Sequence, residues 1–356
     1  MLNKIKIYDI AIIGSGPAGS LLSILLSKQG YKIIIIDKRN LDSNPPIRQK
    51  TCGGLLSPDA QRVLASLDFN LPNDVLANPQ LFSVNTIDLN TNKSRNYQRF
   101  YLNMDREKFD RYLSSVIPNS VNKSYSTIVN RIEYIDNLYK IHANLNEVYY
   151  SKVLIGCDGA GSIVRKSFFQ QEKFPVKKYF AIQYVYKWNN LSSKYYAIFD
   201  KTLTDYSGWA FPKNDKFTVG MAFPDKSDGI KFFNILIDKL KKYGLPLDDL
   251  ISTEGSLLLR PDGFVRTYSK NNNTVFLAGE AAGYISPSSA EGFSFAFNSA
   301  CALSESFEKG GNISKNYKIK TIKLRTKIFI KVIKAHLLYN QFIRKTIMAL
   351  KINAIK

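Results

Sequence analysis

Histidine is nearly absent from this chain: 356 residues contain only His142 and His336. His142 lies in an alternating, strand-like stretch and His336 in a lysine-rich tail. Neither has a partner at metal-ligand spacing, so a Ser-His-Asp hydrolase or a histidine metal site is not expected, and no metal is predicted. Cysteine is almost as scarce. Cys52, Cys157 and Cys301 include no CxxC pair, which argues against a disulfide framework or a zinc site and predicts a reducing, cytoplasmic setting. Long hydrophobic runs are missing too. No stretch reaches the roughly 18 apolar residues of a membrane-spanning helix, and Met1 to Asp9 lacks the apolar segment of a signal peptide. Internal repeats and low-complexity linkers are also absent. With so few side chains suited to chemistry of their own, a cofactor is the expected source of reactivity.

Glycine and short apolar runs are present, and in an informative order. Tyr8 to Ile13 reads as a buried parallel strand. It runs into Gly14-Ser15-Gly16-Pro17-Ala18-Gly19, and Leu21 to Ser27 continues as a helix. Strand, glycine turn and helix form the context that a dinucleotide fingerprint requires. Gly14 allows the tight turn, Gly16 lets a pyrophosphate approach the backbone, and Gly19 lets the helix pack close to the sheet. The helix start, with Pro17 and Ala18, offers backbone N–H groups to the phosphates. A second strand, Lys32 to Ile36, ends in Asp37, followed by Lys38 and Arg39. Asp37 lies 23 positions after Gly14, a spacing suited to a ribose hydroxyl.

Two further motifs follow apolar runs. Cys157-Asp158-Gly159-Ala160-Gly161 and Arg165 come after Val153 to Ile155. Gly279-Glu280-Ala281-Ala282-Gly283 comes after Thr274 to Ala278, with Pro287 and Glu291-Gly292-Phe293 beyond. Asp158 and Glu280 should stand at strand tips, where open α/β sheets bind ligands. Glu291 to Glu308 reads as a helix whose N-terminus faces the same crevice, a placement that favours an anionic reduced flavin. The three motifs in this order point to FAD.

Those motifs resemble the FAD-dependent hydroxylase and reductase superfamily. More narrowly, the chain resembles the geranylgeranyl reductase family, and within it the CbrA-like branch, over roughly residues 7 to 300. The narrower likeness rests on Lys50 to Gln61 with its Cys52-Gly53-Gly54 loop, on Asn78-Pro79-Gln80 and on Asn96 to Arg99. It also rests on Arg106, Phe109, Asp110 and Leu113 of an RxxFDxxL helix, and on Tyr206-Ser207-Gly208-Trp209-Ala210-Phe211-Pro212, close to a YxWxFP segment, with Gly220 following. The family usually has Asp where this chain has Glu280. The added methylene moves the carboxylate and makes an indirect contact to the ribityl chain an alternative.

The resemblance implies an α/β fold. A Rossmann-type FAD-binding domain of the para-hydroxybenzoate-hydroxylase kind (1–75, 100–165 and 265–300) is interleaved with an antiparallel-sheet substrate domain (76–99 and 166–264). Residues 301–356 form a helical, basic tail. The implied cofactor contacts are Gly14, Gly16, Pro17, Ala18, Gly19, Asp37, Lys38, Arg39, Cys52, Gly53, Gly54, Arg106, Asp158, Gly159, Gly279, Glu280, Gly283, Gly292 and Phe293. Lys50, Cys52 and Trp209 are the catalytic candidates, and Tyr206, Trp209, Phe211 and Pro287 line the substrate side. Cys52 reads either as a thiol that relays a proton or as a small apolar residue in a tight loop. Cys157 and Cys301 read as structural. In Phe180 to Trp188, alternate bulky residues give a sheet with one mostly apolar face, and Asp205 to Pro224 reads as a hairpin turning near Asn214-Asp215.

Three functions remain open: reduction of C=C bonds in an isoprenoid or similar lipid, hydroxylation of a small aromatic, and a non-catalytic FAD-binding role at a membrane. Without a separate nicotinamide domain, the electron donor could be NAD(P)H, a ferredoxin or reduced flavin. Net charge is +21, and Lys315 to Lys356 contains ten Lys, two Arg and no acid. Ile319, Ile322, Ile330, Ile333, Leu337 and Ile347 recur there at mainly helical spacing. That pattern predicts contact with the inner face of a membrane. The alternatives are general Lys-Asn-Ile-rich composition or nucleic acid, for which no recognised motif appears.

Overall fold

The computed structural model describes residues 6–43, 50–188, 192–225, 227–270 and 274–350. The end of the tail, 351–356, and residues 1–5 lie outside the described residues. Along the chain the first elements are β1 (Ile7–Ile13), α1 (Pro17–Ser27), β2 (Ile33–Ile36), β3 (Leu55–Leu56) and α2 (Pro58–Ser66). Then come β4 (Leu81–Asp88), β5 (Lys93–Asn103), α3 (Arg106–Ser115), β6 (Asn122–Ser124), β7 (Val129–Ile135), β8 (Leu138–Ala143), β9 (Glu147–Gly156) and α4 (Ile163–Phe168). The second half runs β10 (Val176–Lys187), β11 (Lys194–Phe199), β12 (Ser207–Lys213), β13 (Lys216–Pro224), α5 (Gly229–Lys242), β14 (Leu250–Pro261), β15 (Ser269–Lys270) and β16 (Val275–Leu277). Four helices close the chain: α6 (Phe293–Lys309), α7 (Ile313–Lys320), α8 (Ile322–Tyr339) and α9 (Gln341–Ala349).

The strands form two sheets. The first has the order β15-β16-β9-β1-β2-β6, with the β7–β8 hairpin attached through β9. Its centre is parallel, and β2 is four consecutive buried isoleucines. Apolar side chains on both faces are what a parallel strand between helix layers requires. Helices α1 and α6 pack together on this sheet, with Leu21, Leu22, Phe297 and Leu303 in its core. This is the expected Rossmann-type domain.

The second sheet has the order β14-β10-β13-β12-β11-β4-β5-β3 and is largely antiparallel. One face packs on α5: Ile182, Tyr186, Trp188, Val219 and Met221 share a core with Phe233 and Leu236. The bulky alternation of Phe180 to Trp188 belongs mostly to this covered face, although Phe180 itself is 45% exposed. Gln183, a polar neighbour in this alternation, is buried on the opposite face. The hairpin turn at Asn214-Asp215 falls between β12 and β13 as read from the sequence. Segments 55–56 and 100–103, counted with the cofactor domain in the sequence, pair into this second sheet through β3 and β5.

Candidate functional site

Register aligns the motifs. Ile13 pairs with Ile36 on one side and Gly156 on the other, and Gly156 pairs with Leu277. Gly14, Asp37, Cys157-Asp158 and Gly279 therefore all leave the sheet at one edge, at the carboxyl ends of parallel strands, where such sheets bind ligands.

At that edge the first loop is fixed by close approach. Gly14 has φ +99, and a Cβ there would stand 2.6 Å from the Cys157 carbonyl oxygen. A Cβ on Gly19 would overlap the Gly14 carbonyl. Gly16, in contrast, has nothing within 4 Å of the Cβ position. It caps α1 without any side-chain hydrogen bond, with Pro17 at the first helical position and Ala18 buried behind it. A bare, open backbone at a helix N-terminus fits a phosphate.

Asp37 is 8% exposed, and its carboxylate accepts the Ser15 N–H at 2.7 Å and the Arg39 N–H at 2.7 Å. It thus ties the glycine loop to the tip of β2, with lone pairs to spare for a ribose hydroxyl. Arg39 is buried and donates to Asp110 at 2.6 Å and to the Ser15 carbonyl at 3.2 Å. Arg106 reaches the same Asp110 at 2.8 Å, and its guanidinium lies 4.9 Å from the Phe293 ring centroid. Burial opposes ionisation of Asp110, yet Arg106 and Arg39 outweigh it and hold the carboxyl below its usual range. Lys38 is exposed.

The second and third motifs are joined by Arg165, which donates at 2.7 Å to the Ala281 carbonyl and also to the Ala160 carbonyl. Asp158 accepts the Ile163 N–H at 2.6 Å through one oxygen, while its other oxygen is buried with no hydrogen-bond partner among the described residues. Burial raises its pKa. That orphaned oxygen at a strand tip, together with the open cradle at Gly16, fits a polar cofactor such as FAD. Glu280 turns one oxygen to the Leu259 N–H at 3.0 Å, so the longer side chain reaches across to β14. Its other oxygen and the Lys50 amine lie 3.8 and 4.0 Å from the Cβ position of Gly159. Gly279 and Gly283 both take left-handed φ, +58 and +77. Gly292 caps α6, and Glu291 accepts the Ser294 N–H at 2.8 Å, an acid at the helix start that sequence reading did not assign.

The substrate-side candidates divide. Trp209 and Phe211 project from the face of the second sheet opposite α5, where Phe211 is fully buried. Trp209 crosses Gly220, where a Cβ would overlap the indole; its Nε1 donates to Gln183 at 3.4 Å, and it packs with the cluster containing Ala160 and Ile285. Phe211 stands 3.1 Å from the Cβ position of Gly53 and stacks on Tyr195 at 6.0 Å. Tyr206 is buried, and its hydroxyl accepts the Ala290 N–H at 2.8 Å and donates to the Ser286 carbonyl at 3.2 Å. Pro287 is buried and accepts from Arg260 at 3.2 Å. These two residues hold the third motif's loop.

Lys213 is the main residue that sequence reading missed. Its amine donates to the Gly53 carbonyl at 2.7 Å and the Met104 carbonyl at 2.5 Å, and burial pushes its pKa down to about 8. The Cys52 thiol interacts with both Lys213 and Arg106 and accepts the Gly54 N–H at 3.5 Å. Gly54 takes φ +64, and a Cβ there would also overlap the Met104 carbonyl oxygen and stand 2.6 Å from the Lys213 amine. Burial raises the thiols of Cys157 and Cys301, the latter to about 11, consistent with packing roles.

Residues 7–53 match the model of an FAD binding domain. Protein CbrA of Escherichia coli O6:H1 (strain CFT073) is 36% identical over 345 residues, covering 96% of this chain and 93% of its own. Protein CbrA of Shigella sonnei (strain Ss046) is also 36% identical, with 96% of each chain covered. The chain belongs to the CbrA family. With its FAD binding domain it is an FAD-dependent oxidoreductase. Its fold is like that of a geranylgeranyl bacteriochlorophyll reductase-like protein from Thermoplasma acidophilum, at TM-score 0.81 and 16% identity over 99% of this chain and 93% of the other. PqsL, a probable FAD-dependent monooxygenase from Pseudomonas aeruginosa, gives a TM-score of 0.70 at 16% identity over 97% and 99%. This CbrA relative thus carries a fold shared by reductase-like and monooxygenase proteins. Among the described residues no helix is long and apolar enough to cross a membrane.

Proposed function

We propose that this protein saturates C=C bonds of an isoprenoid or other lipid-like substrate. The observation that carries this reading is the contact between Phe211 and Gly53. It joins the two segments that resemble the reductases, the WxFP strand and the CGG loop, into one wall with Trp209, Tyr195 and Cys52. An apolar aromatic wall suits an unsaturated chain and keeps water from the reacting carbons.

When bound, reduced FAD would supply the two electrons together with one of the two protons. The glycine loop, Asp37 and Asp158 would hold it, with Lys50 and Glu280 beside Gly159 as further contacts. Saturating one double bond takes up two electrons and two protons. Cys52 Sγ–H gives one proton to carbon and recovers it from water. Lys213 and Arg106 hold the thiol loop in place, and Trp209, oriented by Gln183, sets the depth of the chain. The donor that recharges the cofactor is NAD(P)H, a ferredoxin or a reduced flavin.

Turnover without oxygen in deuterated water tests the reading. Each saturated bond should carry a solvent deuteron, and Cys52→Ala should keep FAD while slowing turnover at least about tenfold. Unchanged turnover in that variant returns Cys52 to a packing role. Hydroxylation of a small aromatic is the second reading, favoured by the fold shared with PqsL.

A further inference from the structure

Helix α8 has two faces. Ile328, Val332, Ala335 and Leu338 are buried against the body. The register cannot slip, because Arg325 donates at 2.8 Å to the Lys318 carbonyl, Tyr339 donates at 3.0 Å to the Ser288 carbonyl, and Arg344 of α9 forms a buried 2.8 Å ion pair with Asp88 of β4. The opposite side is apolar as well. Ile322, Phe329, Ile330, Ile333 and Leu337 form an exposed stripe at helical spacing, with Ile330 57% exposed. Phe329 meets Phe264 edge-on at 6.0 Å, and Phe264 is exposed too, so the apolar surface continues past the helix. Ile319 on α7 and Phe342 on α9 add to it.

Along one border of the stripe stand Lys323, Lys327, Lys331 and Lys334. With Ile322, Thr326 and Ile330 they line a cleft of about 490 Å³. The local potential is positive. Burial first, then the neighbouring Lys331 and Arg99, push the Lys334 ammonium down to about 8. The acids facing this group are Asp59, paired with Lys327, and Glu291, occupied by Ser294.

We propose that the α7–α9 face docks on an anionic phospholipid surface, with the isoleucine stripe in the acyl boundary and the lysine-lined cleft seating a phosphate headgroup. Charge complementarity selects this partner. A second copy of the chain would bring the same lysine border of α8 to the contact, and repel. A nucleic-acid backbone would use the lysines but leave the isoleucines wet. Only a bilayer surface takes both.

The test is sedimentation of the intact flavoprotein with vesicles of phosphatidylcholine alone and of phosphatidylcholine with an equal part of phosphatidylglycerol. Binding should require the anionic lipid and weaken with salt. Lys323→Gln with Lys334→Gln should weaken it at least about tenfold, as loss of two surface cations predicts. Ile330→Ser with Ile333→Ser should weaken it comparably, with flavin content unchanged in both variants. Absence of binding to anionic vesicles, equal binding to neutral ones, or loss of self-association or of DNA binding in place of lipid binding in these variants overturns the proposal. No substrate enters this assay, so its failure leaves the reductase reading untouched, and the reverse also holds.

Discussion

The Arg165 guanidinium donates at 2.7 Å to the Ala281 carbonyl, so one side chain joins the loop after β9 to the loop after β16. Both loops lie on the cofactor side of the sheet, and the same guanidinium also holds the Ala160 carbonyl. Arg165→Met keeps the stem but loses the donors. It should cost about 2 kcal/mol of stability, as for hydrogen bonds from a charged group, and speed flavin loss. Denaturant titration and flavin absorbance on dilution check both.

The glycines of the first loop should respond differently to one added side chain. Gly16 has open space at its Cβ position, so Gly16→Val should leave the fold intact while blocking the cofactor. Gly14 has φ +99 and a crowded Cβ position, so Gly14→Ala should destabilise the fold by about 2 kcal/mol through backbone strain. Circular dichroism with flavin content separates the two outcomes. Normal flavin content in Gly16→Val would break the fingerprint reading.

Gly220 gives a test of the substrate wall that leaves the cofactor loops alone. A Cβ there would overlap the Trp209 indole. Gly220→Ala should displace the tryptophan, shift its fluorescence and lower kcat/KM, with FAD retained. Unaltered fluorescence and turnover would show that Trp209 does not position the proposed substrate.

Lys213 should leave a mark in the pH dependence of stability. Its folded pKa is pushed down to about 8 from 10.5 by burial, so the folded state binds fewer protons than the unfolded state between those values. Stability then rises with pH across that window, and the cost of burying the charge is fully present below about pH 8. Lys213→Met removes this slope while also freeing the Gly53 carbonyl. Urea unfolding at pH 7 and 9.5 should show the wild-type protein gaining relative to the variant, and parallel curves would contradict the assignment.

The cofactor half of the fold was legible because its constraints are local. Gly14, Gly16 and Gly19 sit within one turn, and each strand ends where its motif begins. Element edges moved, β2 starting at Ile33 and not Lys32 and α6 at Phe293 and not Glu291, and segments 55–56 and 100–103 went to the second sheet. What the chain hides is pairing over distance. Lys213 and Gly53 are 160 positions apart, and nothing beside Pro212 marks that lysine as a support of the Cys52 loop. Asp110 was visible as part of a motif, but its two arginine partners come from α3 and from the tip of β2. Tyr206 looked like a cavity residue from its neighbour Trp209. Alternation along β12 does not reveal that its hydroxyl is bound to the backbone at Ser286 and Ala290. In the tail the periodicity was readable, but which of its two apolar faces packs inward was not.

The most direct measurement is accurate mass spectrometry of a cell lipid and metabolite extract incubated with the chemically reduced protein, in parallel with and without oxygen. The proposed function predicts a lipid product that gains hydrogen pairs in the oxygen-free sample. A product that gains one oxygen atom, and only in the aerobic sample, would contradict it and move the protein to the hydroxylases.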